Sequence, residues 1–271
     1  MSATITMNVY IISDSLGETG YSLATAAAVQ FPKVKFNYRR FPLTRTKEKL
    51  QQVLDQAKND NALIVHTFVN PNFSAYVNEF GEKHDLTILD GMSNLIHAMQ
   101  EKSGDQPLGQ PGRNHKLNQT YFKRIDALEF AVTYDDGKDP AGFLKADVVL
   151  LGISRTSKTP LSLYMANKNY RVANLPLVPQ AQLPKEIWQV PKKKIFGLTN
   201  DPQVLNSIRR ERMITYGLNP DTNYSSLNNI EAELAYAQDL YQKLGCTVIN
   251  VANKSIEETA TIIIEQLEDH S

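Results

Sequence analysis

Short runs of aliphatic and β-branched residues alternate along this chain with segments of helical periodicity, and that alternation leaves few folds open. Residues 9–12 read as a buried strand, followed by a Ser/Asp/Gly turn and an alanine-rich helix over 18–30. Residues 34–41 form a second strand, and 47–57 carry helical spacing through Leu50, Val53, Leu54 and Ala57. Strands at 62–65 and 86–89 are each followed by a further helical segment. The pattern restarts in the second half, with strands at 146–151, 172–178, 194–198 and 247–251. Helices lie between and after them, near 159–167, 202–216, 230–244 and 256–267. Repeated β-then-α units predict an α/β fold of mostly parallel sheets with flanking helices.

Two segments interrupt the alternation. Residues 103–112 contain Gly104, Pro107, Gly109, Pro111 and Gly112 and have no hydrophobic period, so they read as a loop ahead of a helix at 121–132. Residues 135–142 are polar and turn-rich, which places a domain boundary near residue 140. The expected organisation is an N-terminal α/β domain over 1–140 and a C-terminal P-loop nucleotide-binding, kinase-like domain over 141–271. No internal sequence repeat and no low-complexity segment is visible.

Composition narrows the function classes. The 271 residues are 42% hydrophobic and 21% charged, enough to bury a sizeable core. Lys plus Arg equal Asp plus Glu at 29 each, and a neutral chain lacks the basic excess from which nucleic-acid binders draw most of their affinity. The first residues lack a basic segment leading into an apolar one, and no apolar run nears the roughly 20 residues that span a bilayer. A single cysteine, Cys246, enters the apolar run at 247–249 and reads as a buried structural thiol. With no disulfide possible within the chain, the expected location is cytoplasmic.

The chemistry concentrates at 148–159. A buried strand runs into Gly152, Ile153, Ser154, Arg155, Thr156, Ser157, Lys158 and Thr159, and a helix follows. This is a phosphate-loop pattern with Ser157 where the usual pattern has its second glycine. Successive backbone N–H groups and the positive end of a helix make an anion-binding concavity. Lys158 adds a mobile positive charge for the terminal phosphate, Arg155 a further phosphate ligand, and the Thr159 hydroxyl a candidate magnesium ligand. Serine in the glycine position is expected to avoid positive φ.

Other candidates surround this loop. Asp201 follows the strand at 194–198 and reads as a magnesium ligand through water, as a helix N-cap ahead of Pro202, or as both. Arg209 and Arg212, three apart on one helix, share a face that either clamps a transferring phosphoryl group or faces solvent. Asp135 and Asp136 read either as base or metal ligand, or as a polar interdomain turn. The segment from Ser13 to Gly20 resembles a second anion-binding turn without a lysine, with Asp14 or Ser15 as possible caps of its helix. The histidines at 66, 84, 97, 115 and 270 show no metal-ligand spacing; His115, beside Pro111, Gly112 and Arg113, is the one with a candidate role.

These residues together resemble the pyruvate, phosphate dikinase regulatory proteins of bacteria and plastids, with the related phosphoenolpyruvate synthase regulators. The resemblance covers nearly the whole chain and is most specific at 152–164, continuing into 174–179. Supporting stretches are 13–15, 111–112, 121–127, 129–132 and 135–137. It implies a bifunctional enzyme that uses ADP to phosphorylate a threonine of the dikinase, switching it off. The same enzyme would use inorganic phosphate to remove that group, releasing pyrophosphate. By position, 152–159 would bind ADP, with Lys158 on its β-phosphate and Thr159 near Mg2+. Leu16 stands where threonine is expected, and Asn118 where aspartate is expected. The stretch at 155–160 looks more like the dikinase regulators than the synthase regulators. A small-molecule P-loop kinase or NTPase and a non-catalytic nucleotide sensor are the competing readings. The catalytic base stays open among Asp135, Asp136, Asp201 and His115, and a homodimer is plausible at this size.

Overall fold

The computed structural model describes residues 5–113, 119–179 and 181–269. The chain divides into two compact units, Met1–Lys116 and Leu117–Ser271. In the first, β1 (Ile5–Ile12), β2 (Val34–Phe41), β3 (Leu63–His66) and β4 (Ile88–Asp90) alternate with α1 (Glu18–Ala28), α2 (Lys47–Asn59), α3 (Pro71–His84) and α4 (Ser93–Ser103). The second opens with α5 (Gln119–Thr133), a 3-10 turn at Asp135–Gly137 and α6 (Ala141–Lys145). It continues through β5 (Val148–Gly152), α7 (Lys158–Ala166), β6 (Val172–Pro176), β7 (Ile195–Thr199), α8 (Pro202–Thr215), α9 (Leu227–Leu244), β8 (Thr247–Asn250) and α10 (Ile256–Glu268).

Each unit carries a four-stranded, all-parallel sheet, ordered β2-β1-β3-β4 and β6-β5-β7-β8. The two orders are the same, although no sequence repeat announces it. In both, the first strand sends its chain to one side and the third strand lies on the other. That arrangement opens a crevice at the carboxyl ends of the middle strands, where α/β folds bind ligands.

Burial on both faces explains the aliphatic runs of the strands. In the first sheet Tyr10, Ile12 and Ile64 pack on Leu50, Val53 and Leu54 of α2 and Val77 of α3, while Val9, Ile11 and Val65 face Ala24 of α1. In the second, Val149, Leu151 and Ile195 pack against Leu205, Leu240 and Tyr241. Their neighbours Val148, Leu150 and Phe196 face Leu161, Met165 and Ile263. Gly197 is needed here because a β carbon would lie 2.7 Å from the Tyr241 ring, whose hydroxyl donates to the carbonyls of Leu151 and Leu198. Helix ends follow side-chain chemistry: Thr46, Asn70, Asp201 and Ser255 cap α2, α3, α8 and α10. Among the described residues no helix is long and apolar enough to cross a membrane.

The division falls ahead of α5, not near residue 140 as the polar turn suggested. Ala127 and Ala131 of α5 pack against Ala166 of α7, and the side chain of Asn174 on β6 bonds to Asp135. Small residues thus seat α5 on the second unit, and the polar turn is anchored to that unit's sheet.

Asp90 illustrates how the first unit fixes a helix start. Its Oδ1 accepts from the N–H groups of Met92 and Ser93 at 2.9 Å each, and its Oδ2 accepts from the Ser74 hydroxyl. Burial alone would raise the carboxyl pKa, but the hydrogen bonds from Ser74 and Ser93 and from these amides pull it down from 3.8 to about 2. A depressed pKa contributes stability that is present above the ordinary carboxylate value and is lost as pH falls through about 2. Asp90→Asn is therefore expected to lower stability at neutral pH by on the order of 1 kcal/mol after solvent screening. Its urea midpoint should also fall less steeply than the wild-type midpoint as acid is added below the ordinary carboxylate pKa.

Candidate active site

The strand-to-helix junction after β5 is built for close backbone approach. A β carbon on Gly152 would collide with the Thr156 hydroxyl and lie 3.2 Å from the Leu198 carbonyl, so only glycine fits. Thr156 is fully buried and its hydroxyl donates to the Ile153 carbonyl at 3.0 Å, closing the loop on itself. Arg155 and Ser157 take φ of +73° and +62°. Ser157 thus adopts the left-handed geometry it was expected to avoid. Its conformation is that of the glycine it replaces, at a cost of about 1–2 kcal/mol for an L-residue. The payoff is orientation, because left-handed residues interleaved in a turn swing successive amides toward one side.

Lys158 opens α7, is 6% exposed, and donates to the Ile153 carbonyl at 3.0 Å. Burial pushes its ammonium pKa down to about 8, against the pull of the Asp136 and Asp135 carboxylates and with the repulsion of Arg155 and Arg209. Thr159 donates to Asp135 Oδ1 at 2.8 Å. Asn174, fully buried on β6, donates to the same carboxylate oxygen at 2.8 Å, while its own oxygen accepts the Asp136 N–H at 3.2 Å. The turn carrying Asp135 and Asp136 is therefore fastened beside the loop. This excludes the interdomain-turn reading for the pair.

The resulting pocket, about 490 Å³, is lined by Ser154, Arg155, Ser157, Lys158, Thr159 and Asp136, with Pro160, Pro176, Ile208 and Arg212 completing its wall. It lies at the carboxyl end of β5, where the strand order reverses. The Thr159 hydroxyl and the Asp135 carboxylate form a small oxygen-donor pair. Among the described residues there is no cluster of three or more His, Cys, Asp or Glu side chains able to cage a metal. Magnesium suits such a sparse site, since it takes one or two protein oxygens together with water and substrate phosphates.

Two expected site residues stand elsewhere. Asp201 Oδ1 accepts from the N–H groups of Gln203 and Val204 at 2.8 and 3.2 Å and caps α8, and Asp201 is absent from the lining of this pocket. Arg209 is fully buried and does not share the pocket with Arg212. Its guanidinium forms a fork with Glu233, at 2.6 and 3.2 Å, and donates to the carbonyls of Ser154 and Tyr224. Arg212 does line the pocket, packed on the Tyr216 ring at 4.8 Å. Sequence spacing put both arginines on one helical face, but the charge of Glu233 across the packing draws one of them inward.

Tyr224 is the neighbour that sequence reading missed. Its hydroxyl lies 3.1 Å from Ser154 Oγ and accepts from Arg155 Nε at 3.2 Å. No local pattern marks a tyrosine 69 residues from its partner. Cys246 is half-buried, and burial raises its thiol pKa, so it has the character of an inert thiol.

In the first unit the loop after β1 lines a pocket of about 400 Å³ that includes Ser13, Ser15, Leu16, Thr67 and Arg113. Neither Asp14 nor Ser15 caps α1; Gly17 occupies the N-cap with φ +73°. Asp14 instead accepts the Val69 N–H at 3.1 Å and ties the β1 and β3 loops together, its carboxyl pKa raised by burial. His115 and Asn118 lie outside the described residues.

The structural role of Arg209 is open to a direct test. Arg209→Met should destabilise the protein by about 3 kcal/mol or more, because Glu233 and two backbone carbonyls lose their partner. Equilibrium denaturation would read this; a variant of wild-type stability would contradict it.

Residues 9–264 match the family described as kinase/pyrophosphorylase. A protein of Ligilactobacillus salivarius, described as a pyruvate, phosphate dikinase regulatory protein, is 65% identical over 268 residues, covering 99% of each chain. Proteins so described from Lactiplantibacillus plantarum and Pediococcus pentosaceus are 59% and 57% identical over 261 residues. They cover 96% of this chain and 96% and 97% of their own. Similarity at this level over essentially the full length makes the chain a member of the kinase/pyrophosphorylase family of enzymes.

Proposed function

We propose that the chain regulates pyruvate, phosphate dikinase by two opposed phosphoryl transfers at one threonine of that enzyme. In the first, the threonine oxygen attacks the β-phosphorus of ADP, the bond to the α-phosphate oxygen breaks, AMP leaves, and the threonine proton passes to a base. In the second, inorganic phosphate attacks the phosphothreonine phosphorus, the bond to the threonine oxygen breaks and takes up a proton, and pyrophosphate leaves. The observation that carries this reading is the convergence of Lys158, Arg155, Thr159 and Asp136 on one pocket at the start of α7, with Asp135 bonded to Thr159. Close relatives described as dikinase regulators supply the target.

Both reactions spread negative charge over a phosphoryl group in flight, so positioning and electrostatics do most of the work. Loop amides and the N-terminus of α7 hold the diphosphate, Lys158 neutralises its outer phosphate, and Arg155 and Arg212 face the group transferred. Asp136, which lines the pocket, is the base that takes the threonine proton. Asp135, held by Asn174, orients Thr159. Thr159 and Asp135 together would hold Mg2+, which would offset phosphate charge.

Incubation with purified dikinase and ADP labelled in its β-phosphate should place the label on a dikinase threonine, and added phosphate should release it as pyrophosphate. Transfer to a metabolite with none to the dikinase would overturn the proposal. Lys158→Ala is expected to lower both reactions at least about 100-fold, since one pocket serves both; phosphorolysis left intact would separate the two sites. Asp136→Asn should lower the turnover of the kinase reaction at least about 100-fold while ADP affinity changes little. Loss of affinity instead would assign Asp136 to binding.

A further inference from the structure

The phosphate loop holds conformations that its own residues resist. Arg155 and Ser157 lie in the left-handed region without being glycine, and such residues persist only where surrounding contacts over-determine them. For Arg155 and its neighbour Ser154 those contacts come from Arg209 on α8 and from the segment joining α8 to α9. Tyr224, in the short turn Asn223–Ser225, puts its hydroxyl beside Ser154 Oγ and accepts the Arg155 Nε–H. Its ring faces the Arg209 guanidinium at 4.8 Å, and its carbonyl accepts from Arg209 Nη1 at 2.8 Å. Because Arg209 also donates to the Ser154 carbonyl at 3.1 Å, Ser154 is held at both its side chain and its main chain.

We infer that Tyr224 is a positioning residue for the pocket: its hydroxyl fixes Arg155 through Nε, so that the terminal guanidinium nitrogens are presented to the outer phosphate of a bound nucleoside diphosphate. The inference rests on the phosphate-loop reading proposed above. An arginine side chain loses rotamer freedom when a ligand holds it, and fixing its inner nitrogen removes part of that cost before the ligand arrives. Burial works against ionisation of the Tyr224 phenol, yet hydrogen bonds from Ser154 and Arg155 and the charges of Arg155 and Arg209 hold its pKa below the ordinary value.

The test is a calorimetric titration with ADP of the wild-type protein, Tyr224→Phe, Arg155→Ala and the double variant. Tyr224→Phe keeps the ring over Arg209, and thermal melting checks that the fold is retained. Expected is a roughly tenfold weaker ADP affinity for Tyr224→Phe. The double variant should bind no more weakly than Arg155→Ala alone, because the hydroxyl reaches the phosphate through that side chain. Should Tyr224→Phe fail to fold, Arg155→Lys keeps the charge, deletes the Nε donor, and is expected to show the same loss. A Tyr224→Phe or Arg155→Lys protein within about twofold of wild type, or losses that multiply in the double variant, would overturn the inference alone. Wild-type protein that bound neither ADP nor pyrophosphate would overturn the phosphate-loop reading, and the inference with it.

Discussion

An ammonium group withdrawn from water must be compensated, and the second unit is arranged around that requirement. Lys158 is nearly buried, its proton is loosened by desolvation, and it is retained by the Ile153 carbonyl and the field of Asp135 and Asp136. Those carboxylates repel one another less because Asn174 and Thr159 donate to Asp135, and Asn174 in turn accepts the Asp136 amide. The position of α5, which delivers the acidic turn, is set by alanine contacts with α7, the helix that Lys158 begins. Charge compensation and helix packing thus fix the same geometry from two directions.

What could be read in advance was local. Strand, loop and helix around 148–166 are contiguous, so periodicity and glycine placement suffice to find them, and the parallel sheets follow from the β-then-α order. The partners of the loop are remote. Asp135 reaches Thr159 across 24 residues and Tyr224 reaches Arg155 across 69, and neither distance leaves a periodic trace. The polar composition of 135–142 pointed to a linker because site residues and linker residues draw on the same amino acids. The bonds to Asn174 and Thr159 distinguish the two.

The arginine pair shows the same limit in another form. Helical spacing puts Arg209 and Arg212 on one side of α8, and both were candidates for the same task. Across the packing, Glu233 on α9 satisfies the first, leaving the second beside the pocket. Ser157 is the reverse case: the residue type argued against a left-handed turn, and the loop imposes that turn regardless. A glycine-requiring geometry tolerates serine where the surrounding bonds outweigh the local penalty.

The shared strand order has a kinetic corollary. Neither sheet contains a hairpin among the described residues, so no ladder forms from neighbouring residues: Ile5 must find Val34, and Val149 must find Ile195. Every pairing closes a sizeable stretch of chain before any hydrogen bond rewards it, which slows assembly relative to helical bundles of similar length. Since all these pairings stay within one unit or the other, the first sheet can be complete while the second is still being synthesised.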